Sequence, residues 1–212
     1  MTRVVGLIGG PVHSANLLIR SINYADIARM VTTKDFEGMT KLLCQCGQEL
    51  QKAGAQSLVL CANVAHKAAD ALEEHSGLPV LHIVDSSAEK IVSAGHHRVG
   101  LLATRAVMEE DFYKARLIEK FGLEVLVPGE DFRERVDGLI FDELSKNPIA
   151  KEAKDHFHNA YEELVQRHKV DCVILACTEL RLVFNDEDFT VPTFETTGLH
   201  ARGIAEWALL EN

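Results

Sequence analysis

The residues best suited to chemistry are Ala176-Cys177-Thr178-Glu179-Leu180, which directly follow the apolar run Cys172-Val173-Ile174-Leu175. A thiol at the carboxyl end of a strand, where a helix can begin, sits at the ligand-binding edge of an α/β sheet. Backbone N–H groups at a helix N-terminus lower a thiol pKa and bind a carboxylate. Thr178 adds a hydroxyl, and Glu179 adds a general base or an orienting acid. A lone cysteine is more often a core residue, but a second element of similar design tips the balance: Leu60-Cys61-Ala62-Asn63-Val64-Ala65-His66 follows Ser57-Leu58-Val59. Asn63 can bind a substrate carboxylate or amine, or cap the helix that follows. Thr104, at a strand end, can donate to a carboxylate or, with comparable weight, simply form a turn. For His66 and His200 (the latter just after Thr196 and Thr197) packing or capping is the plainer role. Arg20, Arg105 and Lys146 could meet a side-chain carboxylate, with exposed charge the plainer reading. His96-His97 and Cys44-x-Cys46 could suggest a metal, but Cys46 falls on an apolar helix face and the histidines in a turn after Gly95, so no metal is expected.

Short apolar runs alternate with amphipathic stretches, which signals an α/β chain with mostly parallel sheets. The runs place strands at Val4–Ile8, Leu17–Ile22, Ser57–Cys61, Val80–Ile83, Arg98–Leu102, Glu124–Val127, Asp171–Ala176 and Val191–Phe194. Over Asp35–Ala53, Phe36, Met39, Leu43, Cys46, Leu50 and Ala53 share one helix face. Further helices are expected from Asp85 or Ser86 to Gly95, over Val107–Phe121, from Asn147-Pro148 to about His168, and from a cap at Thr196 or Thr197 to the end.

The chain also repeats itself. Val4-Val5-Gly6-Leu7-Ile8 resembles Arg98-Val99-Gly100-Leu101-Leu102, and Ser57–Asn63 resembles Cys172–Thr178. The repeat implies two similar α/β subdomains facing a shared cleft, 1–95 and 96–192, with a C-terminal helix (193–212) returning to the first. The halves differ in length. Only about seven residues, Gly9 to Ala15, precede Asn16–Ile22, whereas a parallel crossover needs about a dozen. The first subdomain therefore lacks a crossover helix, and the apolar surface this uncovers predicts a homodimer.

Composition narrows the function. The chain has 212 residues, with 32 acidic against 22 basic side chains and a formal charge of −10. That balance speaks against nucleic acid as a partner. No apolar run approaches the length of a membrane helix. Five cysteines without a CxxC motif read as reduced thiols of a cytoplasmic protein.

Together the motifs resemble the aspartate/glutamate racemase family of cofactor-independent amino-acid racemases. The pieces are GLIGG at Gly6–Gly10, HSANLL at His13–Leu18, the Asn-x-Ala-His run at Asn63–His66, GLPVLHIVD at Gly77–Asp85, GLLAT at Gly100–Thr104, MEEDFY at Met108–Tyr113, ACTEL at Ala176–Leu180 and Thr-Thr-x-x-His at Thr196–His200. They run in order over nearly the whole chain.

The resemblance implies an isomerase that needs no cofactor. Two thiols, one from each half, exchange the Cα proton of a small amino acid such as aspartate or glutamate. It implies Cys177 as the catalytic thiol and Asn63, Val64, Ala65, Thr104, Thr178 and Glu179 as substrate-binding residues, with His66, His200 and Gly10 near the site. This chain departs from the family pattern at the first cysteine, whose position is taken by Ala62. It also departs at Val64 and Val107, where hydroxyls are usual. Cys61, one residue earlier, reads as a packed core cysteine. One remaining thiol implies slow or one-sided exchange. The competing expectation is a catalytically impaired homologue that binds a ligand or a partner. Hydantoin, maleate and arylmalonate enzymes of the same fold are a third.

Overall fold

The computed structural model describes residues 15–144 and 148–210. The expected strand Val4–Ile8, together with Gly10, His13, Lys146 and Asn147, lies outside the described residues. The described chain forms two compact units. One holds residues 15–61, 65–82 and 201–210; the other holds 62–64 and 83–200.

In the first unit, α1 (Tyr24–Thr32) packs on α2 (Phe36–Lys52), and α2 packs on α3 (Ala69–Ser76). Asp35 starts α2 by accepting the Gly38 N–H at 2.9 Å, which satisfies one of the free donors of the first turn. Met39, Leu43 and Cys46, placed on one face by their spacing, are buried there with Cys44 and Gly47. A Cβ on Gly47 would meet Leu72 Cδ1 at 2.5 Å, so glycine lets α2 and α3 approach. β1 (Leu58–Val59) and β2 (Val80–Leu81) pair in parallel.

Two expectations fail in this unit. Leu17–Ile22 is not a strand. It has no regular structure, and Leu17, Leu18 and Ile19 are all exposed, so no alternation of faces buries them. Helix α1 was not foreseen; its signal is Asn23, whose side chain caps it by accepting the Ala25 N–H.

The second unit carries a four-stranded parallel sheet in the order β4-β3-β5-β6. Its strands are β3 (Arg98–Ala103), β4 (Glu124–Leu126), β5 (Cys172–Ala176) and β6 (Thr193–Glu195). All of β5 and all of β3 except Arg98 is buried, as expected of parallel strands covered on both faces. Gly100 makes room for one cover: a Cβ there would come within 3.1 to 3.3 Å of Leu164 and Val170. Helices α4 (Ile83–Ser93), α5 (Arg105–Glu109), α6 (Asp111–Ala115), α7 (Glu130–Asp142) and α8 (Lys151–Glu162) surround the sheet. A π turn extends α6 through Lys120, and another extends α8 through Arg167. α9 (Thr196–Leu210) ends the described chain.

The helix boundaries correct several expectations. Asp85 does not cap a helix, because α4 already begins at Ile83. Its carboxylate instead takes Arg116 at 2.6 and 2.7 Å and Lys120 at 2.8 Å. Burial alone would raise the Asp85 pKa, but these two cations hold it below its ordinary value. The expected helix over Val107–Phe121 breaks at Glu110, whose backbone is extended. Pro148 precedes α8 rather than lying in its first turn. The cap of α9 is Glu195, whose two oxygens accept the N–H groups of Thr197 and Gly198 at 2.6 and 2.8 Å. Thr196 is thereby left for another role.

Candidate active site

The candidate site lies at the carboxyl ends of β3 and β5. The chain leaves β3 for β4 on one side, then crosses to β5 on the other. Strand order therefore reverses between β3 and β5, and in open α/β sheets ligands bind outside the carboxyl ends at such a point. Ala103 is in register with Ala176. Thr104 and Cys177 follow these two residues directly, so they leave the sheet on adjacent chains.

Cys177 is 6% exposed. Its thiol donates to Glu179 Oε2 at 3.0 Å, and the Thr178 hydroxyl donates to the same oxygen. Burial, first of all, pushes the Cys177 thiol up. The Glu179 and Asp137 carboxylates push it further, against a smaller opposing pull from the Glu179 backbone N–H. This reverses the expectation of a thiol activated by a helix N-terminus. Beyond Cys177 the chain makes two turn residues and then only a three-residue 3-10 turn, Leu180–Leu182. So short an element has no appreciable dipole to offset two carboxylates. The free protein thus holds Cys177 as a thiol whose proton points at a carboxylate.

Thr104 is buried, and its hydroxyl has no hydrogen-bond partner. An orphaned polar atom in a native interior costs about 1–3 kcal/mol. At a strand end beside a thiol, such a hydroxyl is suited to a ligand's carboxylate oxygen.

Asn63 does not cap the segment after it. Its Oδ1 accepts the Tyr113 hydroxyl at 3.1 Å, and its Nδ2 donates to Thr196 Oγ1, also at 3.1 Å. Thr196 in turn donates to the Leu175 carbonyl at 3.2 Å. A buried chain of hydrogen bonds therefore ties Asn63 to β5 two residues before Cys177. One amide hydrogen and one carbonyl lone pair of Asn63 stay free of these bonds. Tyr113 and Thr196 are both completely buried. Sequence reasoning missed both roles. Tyr113 ends the MEEDFY run, but a tyrosine on a helix looks the same whether its hydroxyl positions a partner or merely packs.

The other named residues divide between the units. Ala62, Val64 and the buried His200 belong to the second unit with Asn63, Thr104, Cys177, Thr178 and Glu179. Ala65 and His66 belong to the first, where the His66 ring lies 4.5 Å from that of His82. Val107 is fully buried in the second unit's apolar core. Cys61 is exposed rather than packed, because β1 ends at Val59 and strand alternation does not reach it. Arg20 pairs with Glu49 at 2.7 Å, and Arg105 pairs with Glu109 at 2.9 Å.

The pKa argument for Cys177 has a testable sign. Replacing Glu179 by Gln removes a carboxylate that raises the thiol pKa, so more thiolate forms near pH 8. Peptide mass spectrometry after iodoacetamide treatment should show faster Cys177 alkylation in Glu179→Gln than in the wild type. Exposed Cys61 serves as the internal reference. Equal or slower alkylation contradicts the assignment.

Comparison with known proteins places the chain among its relatives. The sequence pattern of the Asp/Glu/Hydantoin racemase family matches residues 7–204. The broad specificity amino-acid racemase RacX of Bacillus subtilis is 24% identical over 168 residues, which are 79% of this chain and 71% of that one. A Yersinia pestis protein provisionally designated an Asp/Glu racemase is 36% identical, with a TM-score of 0.89 over 98% of this chain and 90% of that one. An aspartate racemase homologue from Pyrococcus horikoshii is 30% identical, with a TM-score of 0.79 over 98% and 91%. A Francisella tularensis glutamate racemase, crystallised with D-glutamate, shares the fold at 18% identity and a TM-score of 0.65, over 91% of this chain and 68% of that one. With the family pattern matched over nearly its whole length, the chain belongs to the Asp/Glu/hydantoin racemase family.

Proposed function

We propose that this protein is an amino-acid racemase acting on aspartate- or glutamate-like substrates, with Cys177 exchanging the Cα proton on one face. The observation that carries the reading is that, at the strand-order reversal, the Cys177 thiol and the partnerless buried hydroxyl of Thr104 directly follow the paired residues Ala176 and Ala103. Amino-acid racemisation draws support from the broad specificity racemase of Bacillus subtilis, and the substrate class from the 30% identical aspartate racemase homologue.

Thr104 donates to the α-carboxylate, and the free amide hydrogen of Asn63 adds a second donor. As proton loss delocalises charge onto that carboxylate, these fixed donors stabilise it more than they stabilise the ground state. The substrate's ammonium group brings a positive charge to a thiol flanked by carboxylates, and an opposite charge favours the thiolate. The Sγ proton then passes to Glu179 Oε2, the thiolate takes the Cα proton, and reprotonation from the other face inverts the centre. Ala62 stands where the family usually has its other cysteine, so that second delivery falls to water or a slower donor. Turnover is slow and directionally biased. A binding protein that has lost catalysis is the alternative, and Ala62 is the feature that favours it.

The test is long incubation with L- and D-aspartate and with L- and D-glutamate, followed by chiral chromatography. The opposite enantiomer should accumulate slowly, and Cys177→Ala should reduce the rate by at least about 10²-fold, the lower end for a positioned acid–base group. Full activity in that variant excludes Cys177 as the base. No turnover at all, with stabilisation by the same amino acids in a thermal-shift assay, favours the binding protein.

A cytoplasmic homodimer completes the reading. It is supported by five free cysteines and by the exposed side chains of Leu17, Leu18, Ile19 and Tyr24. No helix among the described residues is long and apolar enough to cross a membrane. Sedimentation equilibrium should give twice the chain mass, and Ile19→Asp should shift it toward monomer. A wild-type monomer at all concentrations contradicts the dimer.

A further inference from the structure

The pairing of β3 with β5 has a second end. At the amino-terminal edge, His96, Asp171 and Cys172 each offer a ligand atom within 4.8 Å of the other two. Five register pairs, from Val99–Cys172 to Ala103–Ala176, separate this edge from Thr104 and Cys177, roughly 16 Å at the rise of a strand. The proposed racemisation uses none of these three residues.

The backbone already holds Asp171 in place. Asp171 Oδ2 accepts the N–H groups of His97 at 2.9 Å and Arg98 at 3.1 Å, while the Asp171 N–H donates to the Arg98 carbonyl at 2.8 Å. That fixes the carboxylate through Oδ2, while the Cys172 thiol bonds to the same carboxylate, whose Oδ1 is buried. Cys172 opens β5 and is completely buried. The His96 ring stands edge-on to Phe194, with centroids 5.9 Å apart.

Buried carboxylate oxygens are normally satisfied by donors or cations. An imidazole, a carboxylate and a thiolate form a mixed set of the kind zinc accepts, whereas Mg²⁺ and Ca²⁺ require oxygen ligands throughout. Around tetrahedral zinc, with bonds of about 2.0–2.3 Å, ligand atoms lie roughly 3.5 Å apart, against a present spacing of up to 4.8 Å.

We propose that His96, Asp171 and Cys172 form a Zn²⁺ site that ties the turn before β3 to the start of β5. On binding, Cys172 gives its proton to solvent and its thiolate sulfur joins the metal. Three protein ligands leave the fourth position to water or to an outside ligand.

Co²⁺ is the spectroscopic probe, titrated into the metal-free full chain. One Co²⁺ per chain should bind with a sulfur-to-cobalt charge-transfer band in the near ultraviolet, and Zn²⁺ should bleach it. Cys172→Ser should abolish the band. His96→Ala should weaken Co²⁺ binding at least about tenfold, the low end even for disturbing an outer-shell partner of a metal ligand. His96 is only partly buried, so this variant tests the site even where Cys172→Ser fails to fold. Cys61→Ser should leave the band intact. No band, a band unaffected by His96→Ala, or a band lost in Cys61→Ser overturns the site.

Discussion

The in-register pairing of β3 with β5 is the interaction on which the candidate site depends. Its five residue pairs, ending at Ala103 and Ala176, decide that Thr104 and Cys177 leave the sheet side by side. A slip of one residue would turn each following side chain to the opposite face. Burial on both faces guards the register. Every residue of β5 and nearly all of β3 is inside, and Gly100 lets Leu164 and Val170 close over the pair. The apolar runs that form the core are therefore also what places the chemistry. The same pairing gathers His96, Asp171 and Cys172 at its other end.

Electrostatics then sets the state of the thiol. Burial and two carboxylates keep Cys177 protonated in the free protein, and the short turn after it is too small to counter them. On the proposed reading this is a resting state, because an amino acid carries its own ammonium charge into the site. Asn63 is prepared differently. Tyr113 and Thr196 hold its amide before any ligand arrives, so binding need not pay to order that side chain.

Much of this was legible from residue type and spacing. The continuous apolar runs at 98–102 and 172–176 read as buried parallel strands, and the three- and four-residue spacing of Met39, Leu43 and Cys46 read as a helix face. Cys177, Thr178, Glu179 and Thr104 were legible as a group because all lie just past strand ends. Other features turned on competition that a local pattern does not show. Leu17–Ile22 has the composition of a strand but no partner strand among the described residues, and most of it lies exposed. β1 stops two residues earlier than its apolar run suggests, which takes Cys61 out of the core and onto the surface. Thr196 looks like a cap, yet Glu195 reaches the same N–H groups and frees the threonine hydroxyl for Asn63. Tyr113 acts across fifty residues of sequence, a distance at which only the folded chain shows the contact.

The most direct test of the central claim, that the Cys177 sulfur exchanges the Cα proton, is proton NMR of aspartate and glutamate enantiomers incubated with the protein in D₂O. The α-proton signal of at least one enantiomer should decay faster than its mirror image forms, because one thiol exchanges on one face more readily than the centre inverts. That decay should vanish in Cys177→Ala. An α-proton that persists with the wild-type protein, or that is lost equally fast without the sulfur, contradicts the account.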